Sequence, residues 1–333
     1  MPRTRRWGLV AFVLGILATI QTLIVNTMGF IDADTGSAFG CGHQWLTCNG
    51  QWIPTAWALT TLIEFSHRVG VPILTMLLLA VALLAGIRYR KWIEIPILAA
   101  ISLFFVLLEA FLGAMAVVFE EPPAVIATHF GVSLLAFSSV LLLTVNIWRA
   151  ERVRQASYEE QAALPLRSEL PQRGFRLLVW LVLPYIYLEM YLGAFISSTN
   201  TGVDFRGIPI PTERINAPHF AFFLDWMHRS SALILVLWIL AIFAQALNMR
   251  RQRLDLFRGS VIALVFVGLQ ALSGFYLVAS HVTLLAFLSH VTVVTGLFGI
   301  LCFLAFQTLP SVKRELTDQL TPPGSARDKR SRT

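Results

Sequence analysis

Residues 56–86 read AWALTTLIEFSHRVGVPILTMLLLAVALLAG, an apolar run whose only ionisable residues are Glu64, His67 and Arg68. A run of this length can cross the roughly 30 Å of hydrocarbon in a bilayer as one helix. A helix is favoured there because it satisfies its own backbone hydrogen bonds within lipid. The stretch therefore predicts a membrane span whose ionisable groups lie near one membrane surface.

Seven further runs have the same character. The chain has 333 residues, of which 56% are hydrophobic and 14% are charged, whereas soluble domains carry roughly 25% charged residues. The runs are too long and too continuously apolar for barrel strands, and the first is too long for a cleaved signal peptide. The sequence predicts an all-α integral membrane protein. Its eight transmembrane helices are expected at 7–29, 56–86, 94–118, 124–148, 175–198, 219–247, 259–280 and 283–308.

The basic residues indicate how the spans are oriented. Both termini and one alternating set of loops hold 22 of the 26 lysines and arginines. Basic loops face the cytoplasm in membrane proteins, so both termini are predicted to be cytoplasmic and the loops 30–55 and 199–218 to lie outside. The net charge of +7 is spread between the apolar runs, which argues against binding to nucleic acid.

The chain contains an internal repeat with an offset of 161 residues. This shift places His67 on His228 and His129 on His290. Because each half has an even number of spans, the halves are expected to be parallel four-helix bundles related by a pseudo-two-fold axis along the membrane normal. The predicted domains are an N-terminal half (1–148), a cytoplasmic linker (149–174), a C-terminal half (175–308) and a disordered basic tail (309–333).

The four repeated histidines are the main candidates for chemistry. Each lies in a span that begins on the outside, and at 1.5 Å per residue their depths agree within roughly 10 Å. The repeat predicts two facing pairs, His67 with His129 and His228 with His290. Two neutral imidazoles from neighbouring helices can hold heme iron. The alternatives are hydrogen bonds to neighbouring helices or a zinc site, although no second His or Cys shares a turn with any of them.

Acidic residues accompany the histidines. Glu64 precedes His67 by three residues, as Asp225 precedes His228, so each acid shares a helix face with its histidine. Such a carboxylate can orient the ring, move protons or bind substrate. The alternative is a polar residue near the interface that pairs with the adjacent arginine. Glu109, deep in the third span, either pairs inside the bundle or takes part in chemistry.

Three cysteines are present. Cys41 and Cys48 lie in the first outer loop, whereas Cys302 lies inside an apolar run. The outer side of a bacterial membrane is oxidising, so a disulfide between the loop cysteines is expected. It would tie the loop over the mouth of the first half, and either a structural or a redox role is open for it.

Several of these motifs together resemble a known family. The loop Thr35-Gly36-Ser37 with Cys41-Gly42-His43-Gln44-Trp45-Leu46-Thr47-Cys48-Asn49-Gly50 resembles the first outer loop of bacterial heme A synthases. So does Glu64-Phe65-Ser66-His67-Arg68, together with the three later histidines of the repeat. The resemblance covers about 300 residues, including the number of spans.

The resemblance implies a reaction, cofactors and partners. It implies that the C8 methyl group of heme O is oxidised stepwise to a formyl group, giving heme A for cytochrome oxidase. It places heme b between His228 and His290. Heme O would then lie in a first-half substrate site formed by Glu64, His67 and His129. It also implies a bacterial cytoplasmic membrane, delivery of heme O by a heme O synthase, and an electron donor. The sequence leaves the identity of that donor and homo-oligomer formation open.

Two other functions fit parts of the pattern. A diheme b-type electron carrier, such as a quinol or ferric reductase, would use both histidine pairs equally. Glu64 and the contrast between Glu109 and Gln270 count against it, because they make the halves unequal. A transporter with parallel repeats is the third interpretation.

Overall fold

The computed structural model describes residues 3–120, 122–155, 170–199, 207 and 219–310. These residues form eight helices and no strand, and all eight helices are long and apolar enough to cross a membrane. The prediction of an all-α protein with eight membrane spans is therefore confirmed. The helices are α1 (Arg3–Asp34), α2 (Leu59–Arg88), α3 (Glu94–Val118), α4 (Pro123–Gln155), α5 (Arg173–Ser198), α6 (His219–Asn248), α7 (Leu254–Ala279) and α8 (Leu284–Gln307).

The helices differ from the predicted spans mainly at their ends. α1 continues to Asp34 and α4 continues to Gln155, so residues 149–155 of the predicted linker are helical. Hydropathy marks only the part of a helix that crosses lipid, whereas polar contacts can carry the helix further. The rest of the predicted linker, residues 156–169, and most of the tail, residues 311–333, lie outside the described residues.

α4 is the most buried helix of the bundle. Buried residues make up 78% of its most apolar window, against 17–39% in the other spans. α4 packs against α1 and α3 on one side and against α5 and α8 on the other. Two clusters of buried apolar side chains therefore meet around it, one built mainly from α1–α4 and one mainly from α5–α8. The pseudo-two-fold relation between the halves stays a prediction.

A buried carboxylate joins three helices at the end of the bundle opposite the histidines. Glu151 of α4 accepts hydrogen bonds from Arg88 Nε (2.9 Å) and Nη2 (3.0 Å) and from the Tyr89 hydroxyl (2.7 Å). Burial and the nearby carboxylate raise the pKa of Tyr89, so the hydroxyl stays a neutral donor. On α1, Gly8 leaves the space that Glu151 fills, since a Cβ there would collide with the carboxylate.

Candidate functional site

Each of the four repeated histidines packs against a glycine of the preceding helix. A Cβ on that glycine would stand 3.1–3.6 Å from the Cε1 atom of the imidazole. Each ring therefore lies where a larger residue on the facing helix would crowd it. The pairs are Gly29 with His67, Gly113 with His129, Gly193 with His228, and Gly274 with His290.

The structure brings His67 and His129 together. Both line one cavity of about 650 Å³ enclosed by α1–α4 and the first outer loop, and they are close enough to interact electrostatically. Glu109 lines the same cavity, and its Oε2 lies 3.0 Å from Nδ1 of His129. Of the two roles considered for Glu109, pairing within the bundle is the one that the structure displays.

His228 and His290 are also close enough to interact electrostatically. Their surroundings differ in charge. Oε1 of Glu189 on α5 lies 2.8 Å from Nδ1 of His228, and the hydroxyl of Ser231 donates to the other oxygen of that carboxylate. The neighbours of His290 are neutral. Gln270 Nε2 lies 3.1 Å from its Nε2, and Ser273 Oγ lies 3.0 Å from its Nδ1.

Glu189 was missed in the sequence because its counterpart in the first half is apolar and because the repeat offset is not constant. From Gly29 to His67 is 38 residues, whereas from Gly193 to His228 is 35 residues. The first outer loop is thus three residues longer, and an offset of 161 places Glu189 on Met28 instead of Val25. A local signal was available: the pattern Glu-x-x-x-Gly or Gln-x-x-x-Gly occurs in α3, α5 and α7. In each of these helices it places a polar side chain one turn before the glycine.

The carboxylate of Glu64 is turned toward the outer loop. The side chain is 2% exposed, and its Oε2 accepts a hydrogen bond of 2.6 Å from the backbone N–H of Cys41. Its Oε1 pairs with the guanidinium of Arg68. Asp225 pairs with Arg229 in the same way, at 2.8 Å. The alternative considered for both acids, an ion pair with the adjacent arginine, is therefore present in both halves.

Arg68 and the disulfide hold the first outer loop over the cavity. Nη1 of Arg68 donates to three loop carbonyls, those of Gln44 (2.6 Å), Thr47 (3.0 Å) and Trp45 (3.2 Å). Cys41 and Cys48 form a buried disulfide, which confirms that prediction. In the second half Arg229 donates to the carbonyl of Gly207, which belongs to the other outer loop. The loop residues that line the cavity are Ala38, Trp45, Leu46, Thr47, Cys48 and Trp52.

Known proteins match most of the chain. A family model described as cytochrome oxidase assembly protein matches residues 12–221. The chain is 34% identical to the heme A synthase of Staphylococcus epidermidis over 307 residues, which cover 91% of this chain and 97% of that protein. It is 33% identical to the heme A synthase of Bacillus pumilus over 294 residues, 87% of this chain and 92% of that protein.

The chain belongs to the heme A synthase family. This membership confirms the resemblance found in the outer loop and around Glu64 and His67. It identifies the protein as a membrane oxidoreductase of heme A synthesis, and it does not favour the diheme electron carrier.

The residues of this heme A synthase fit heme better than a bare metal ion. Within the described ranges, no three side chains of His, Cys, Asp and Glu converge as a metal site. A structural zinc site needs four such ligands. Iron in a porphyrin needs only one or two axial ligands from the protein, and each half offers a pair of neighbouring imidazoles.

Proposed function

We propose that the chain converts heme O to heme A by oxidising the C8 methyl group of heme O to a formyl group. In this proposal heme O binds between His67 and His129 in the first half, and heme b binds between His228 and His290 in the second. The observation that carries it is the cavity of about 650 Å³ into which His67 and His129 both face. Family membership supports the reaction.

The second half is proposed to hold the resident cofactor. Heme b, when bound, supplies one-electron transfer. His228 and His290 would hold it, and Glu189 orients the ring of His228 through the 2.8 Å contact with Nδ1. Gln270 and Ser273 position His290 without adding charge. The second half therefore holds its two ligands in unequal electrostatic surroundings.

The first half is proposed to act on the substrate. Conversion of a methyl to a formyl group removes two hydrogens and adds one oxygen, a four-electron oxidation, so protons must cross a cavity that is largely apolar. Glu109 can hold a proton at Oε2, beside His129. Glu64, at the cavity wall beneath the loop, is the second acid that can do so. His67 and His129 fix the plane of heme O between them.

The location follows from the charge of the loops. Eight spans place both ends of the chain on one side, and the concentration of basic residues there supports a cytoplasmic assignment. The histidines then lie in the outer half of a bacterial cytoplasmic membrane. Heme O, an apolar product of a heme O synthase, would reach the cavity from the bilayer. The reaction also needs a four-electron oxidant and a source of oxygen; where dioxygen serves as both, an electron donor supplies the electrons that reduce its remaining oxygen atoms to water.

Expression in cells that make heme O but no heme A tests the proposal. The wild type should produce heme A in extracted pigments, and the purified protein should carry heme b. His67→Ala should make no heme A while it keeps heme b. His228→Ala should lose heme b, and heme A with it.

The paired variants separate the two sites. The proposal is wrong if the folded wild type accumulates only heme O. The assignment of the halves is wrong if His67→Ala loses the resident heme b while His228→Ala keeps it. His281→Ala, at a histidine outside the two histidine pairs, is the control and should resemble the wild type.

A further inference from the structure

The cavity of the first half opens sideways along α2. Val69, Ile73 and Met76 of α2 line the cavity, yet they are 39%, 46% and 71% exposed. All three lie within a membrane span, so their exposed surface faces acyl chains and not water. A residue that both lines a cavity and faces lipid marks an opening between the cavity and the lipid. We call these three residues the lateral slot.

The lateral slot and the histidine site form one continuous space. The polar lining groups of the site, among them Glu64, His67 and Arg68, lie toward the outer surface, whereas the slot is wholly apolar. Met76 follows His67 by nine residues, and at 1.5 Å per residue it lies roughly 13 Å deeper in the membrane. The cavity thus changes from polar to apolar along α2, toward the bilayer centre.

We propose that the lateral slot binds the isoprenoid chain of heme O and is the route by which heme O enters from the bilayer. This inference rests on the proposed function of the first half. A molecule with a flat iron-binding head and a long apolar chain matches a space with two imidazoles at one end and an apolar opening at the other. Protoheme has the same head without the chain, so the slot selects heme O over protoheme.

Two substitutions on α2 fill the slot. Met76 and Ile73 both line the cavity and face lipid. Met76→Trp and Ile73→Trp each place a large apolar ring in the space proposed for the isoprenoid chain. Leu79→Trp is the matched control, because Leu79 is 53% exposed on the same helix and is absent from the cavity lining.

The test compares the affinity of the first-half site for heme O with its affinity for protoheme. Both affinities are measured by absorbance titration of purified protein that carries its resident heme. The wild type and Leu79→Trp should bind heme O more tightly than protoheme. Each buried methylene contributes about 0.8 kcal/mol, so losing even two or three contacts should weaken heme O binding about tenfold or more. Met76→Trp and Ile73→Trp should show this loss while their affinity for protoheme stays within about twofold of wild type.

Four outcomes decide the inference. Selective loss of heme O affinity in both slot variants supports it. Unchanged heme O affinity in both variants overturns it, and so does an equal loss for both hemes with the resident heme retained. A wild type that forms heme A without preferring heme O over protoheme would also overturn the slot but leave the proposed function standing. Heme O affinity that does not depend on His67 would instead count against the proposed function.

Discussion

Oε1 of Glu189 lies 2.8 Å from Nδ1 of His228, on the side of the ring that faces α5. His290, its partner across the second half, has the neutral groups of Gln270 and Ser273 as its hydrogen-bonding neighbours among the residues that the structure describes. A carboxylate beside a metal-binding histidine fixes the orientation of the ring and makes it a stronger electron donor to the metal. The two proposed ligands of heme b are therefore chemically unequal.

Replacing the carboxylate should change the redox behaviour of the second half. In Glu189→Gln the anionic neighbour of His228 is lost, so ferric heme is less stabilised and the midpoint potential should become more positive. Loss of such a neighbour typically costs about 10–100-fold in metal affinity or activity, so less heme should be retained on purification. A redox titration followed by absorbance measures the first effect, and the heme-to-protein ratio measures the second. Gln270→Glu should shift the potential in the opposite direction, and equal potentials in all three proteins would contradict the expectation.

The glycines that face the histidines should differ in their tolerance of a methyl group. A Cβ on Gly193 would stand 3.1 Å from Cε1 of His228, whereas one on Gly113 would stand 3.6 Å from Cε1 of His129. Overpacking of this kind costs typically about 1–3 kcal/mol. Gly193→Ala should therefore shift the absorbance spectrum of the second-half heme and lower its occupancy about tenfold, whereas Gly113→Ala should leave first-half heme O affinity nearly unchanged. Equal effects of the two variants would show that the close approach does not matter.

Arg68 should protect the disulfide of the outer loop. Its guanidinium holds the carbonyls of Gln44, Trp45 and Thr47 and pairs with Glu64. Hydrogen bonds to a charged group contribute about 1.5–3 kcal/mol each, so Arg68→Gln should let the loop open more often and raise the rate of Cys41–Cys48 reduction about tenfold or more. Thiol labelling under mild reductant measures that rate. Arg229→Gln, which frees only the second loop, should leave it unchanged, and equal rates in wild type and Arg68→Gln would refute the anchoring role.

The sequence predicted the helices better than it predicted the contacts of the site. Hydropathy is a property of each span alone, so all eight spans were found. The partners of His67 and His228 lie on other helices, and which residues meet depends on how those helices are rotated and offset. Glu109 was noticed because α3 and α7 keep the offset of 161. Glu189 was not, because the residue that corresponds to it in the first half, Val25, is apolar.

The direction in which the Glu64 carboxylate points was likewise not predictable from the sequence. Its spacing of three residues from His67 placed both on one helix face, and that placement is right. The structure nevertheless shows its carboxylate bound by the N–H of Cys41 and by Arg68. Spacing along a helix predicts the helix face on which a residue lies. The orientation of its side chain depends also on contacts with a neighbouring loop. The disulfide was easier to predict, since a loop with two cysteines seven residues apart offers few other pairings.

The cluster around Glu151 should govern stability without affecting heme binding. Glu151 is 6% exposed and accepts hydrogen bonds from both Arg88 and Tyr89. Removing one member of a buried ion pair costs about 3–5 kcal/mol, because the remaining charge is left unpaired. Glu151→Gln keeps the size of the side chain and should lower the free energy of unfolding by an amount near the bottom of that range, with a clear fall in melting temperature in detergent.

Two comparisons isolate the charge at Glu151. Arg152→Gln removes an exposed neighbouring charge and should change stability by no more than about 0.5 kcal/mol. Tyr89→Phe removes one neutral donor and should cost about 1 kcal/mol. Below the melting temperature all three variants should carry the same heme as the wild type, since the cluster lies at the opposite end of the bundle from the histidines. A Glu151→Gln protein that melts like Arg152→Gln would mean that the ion pair contributes no net stability.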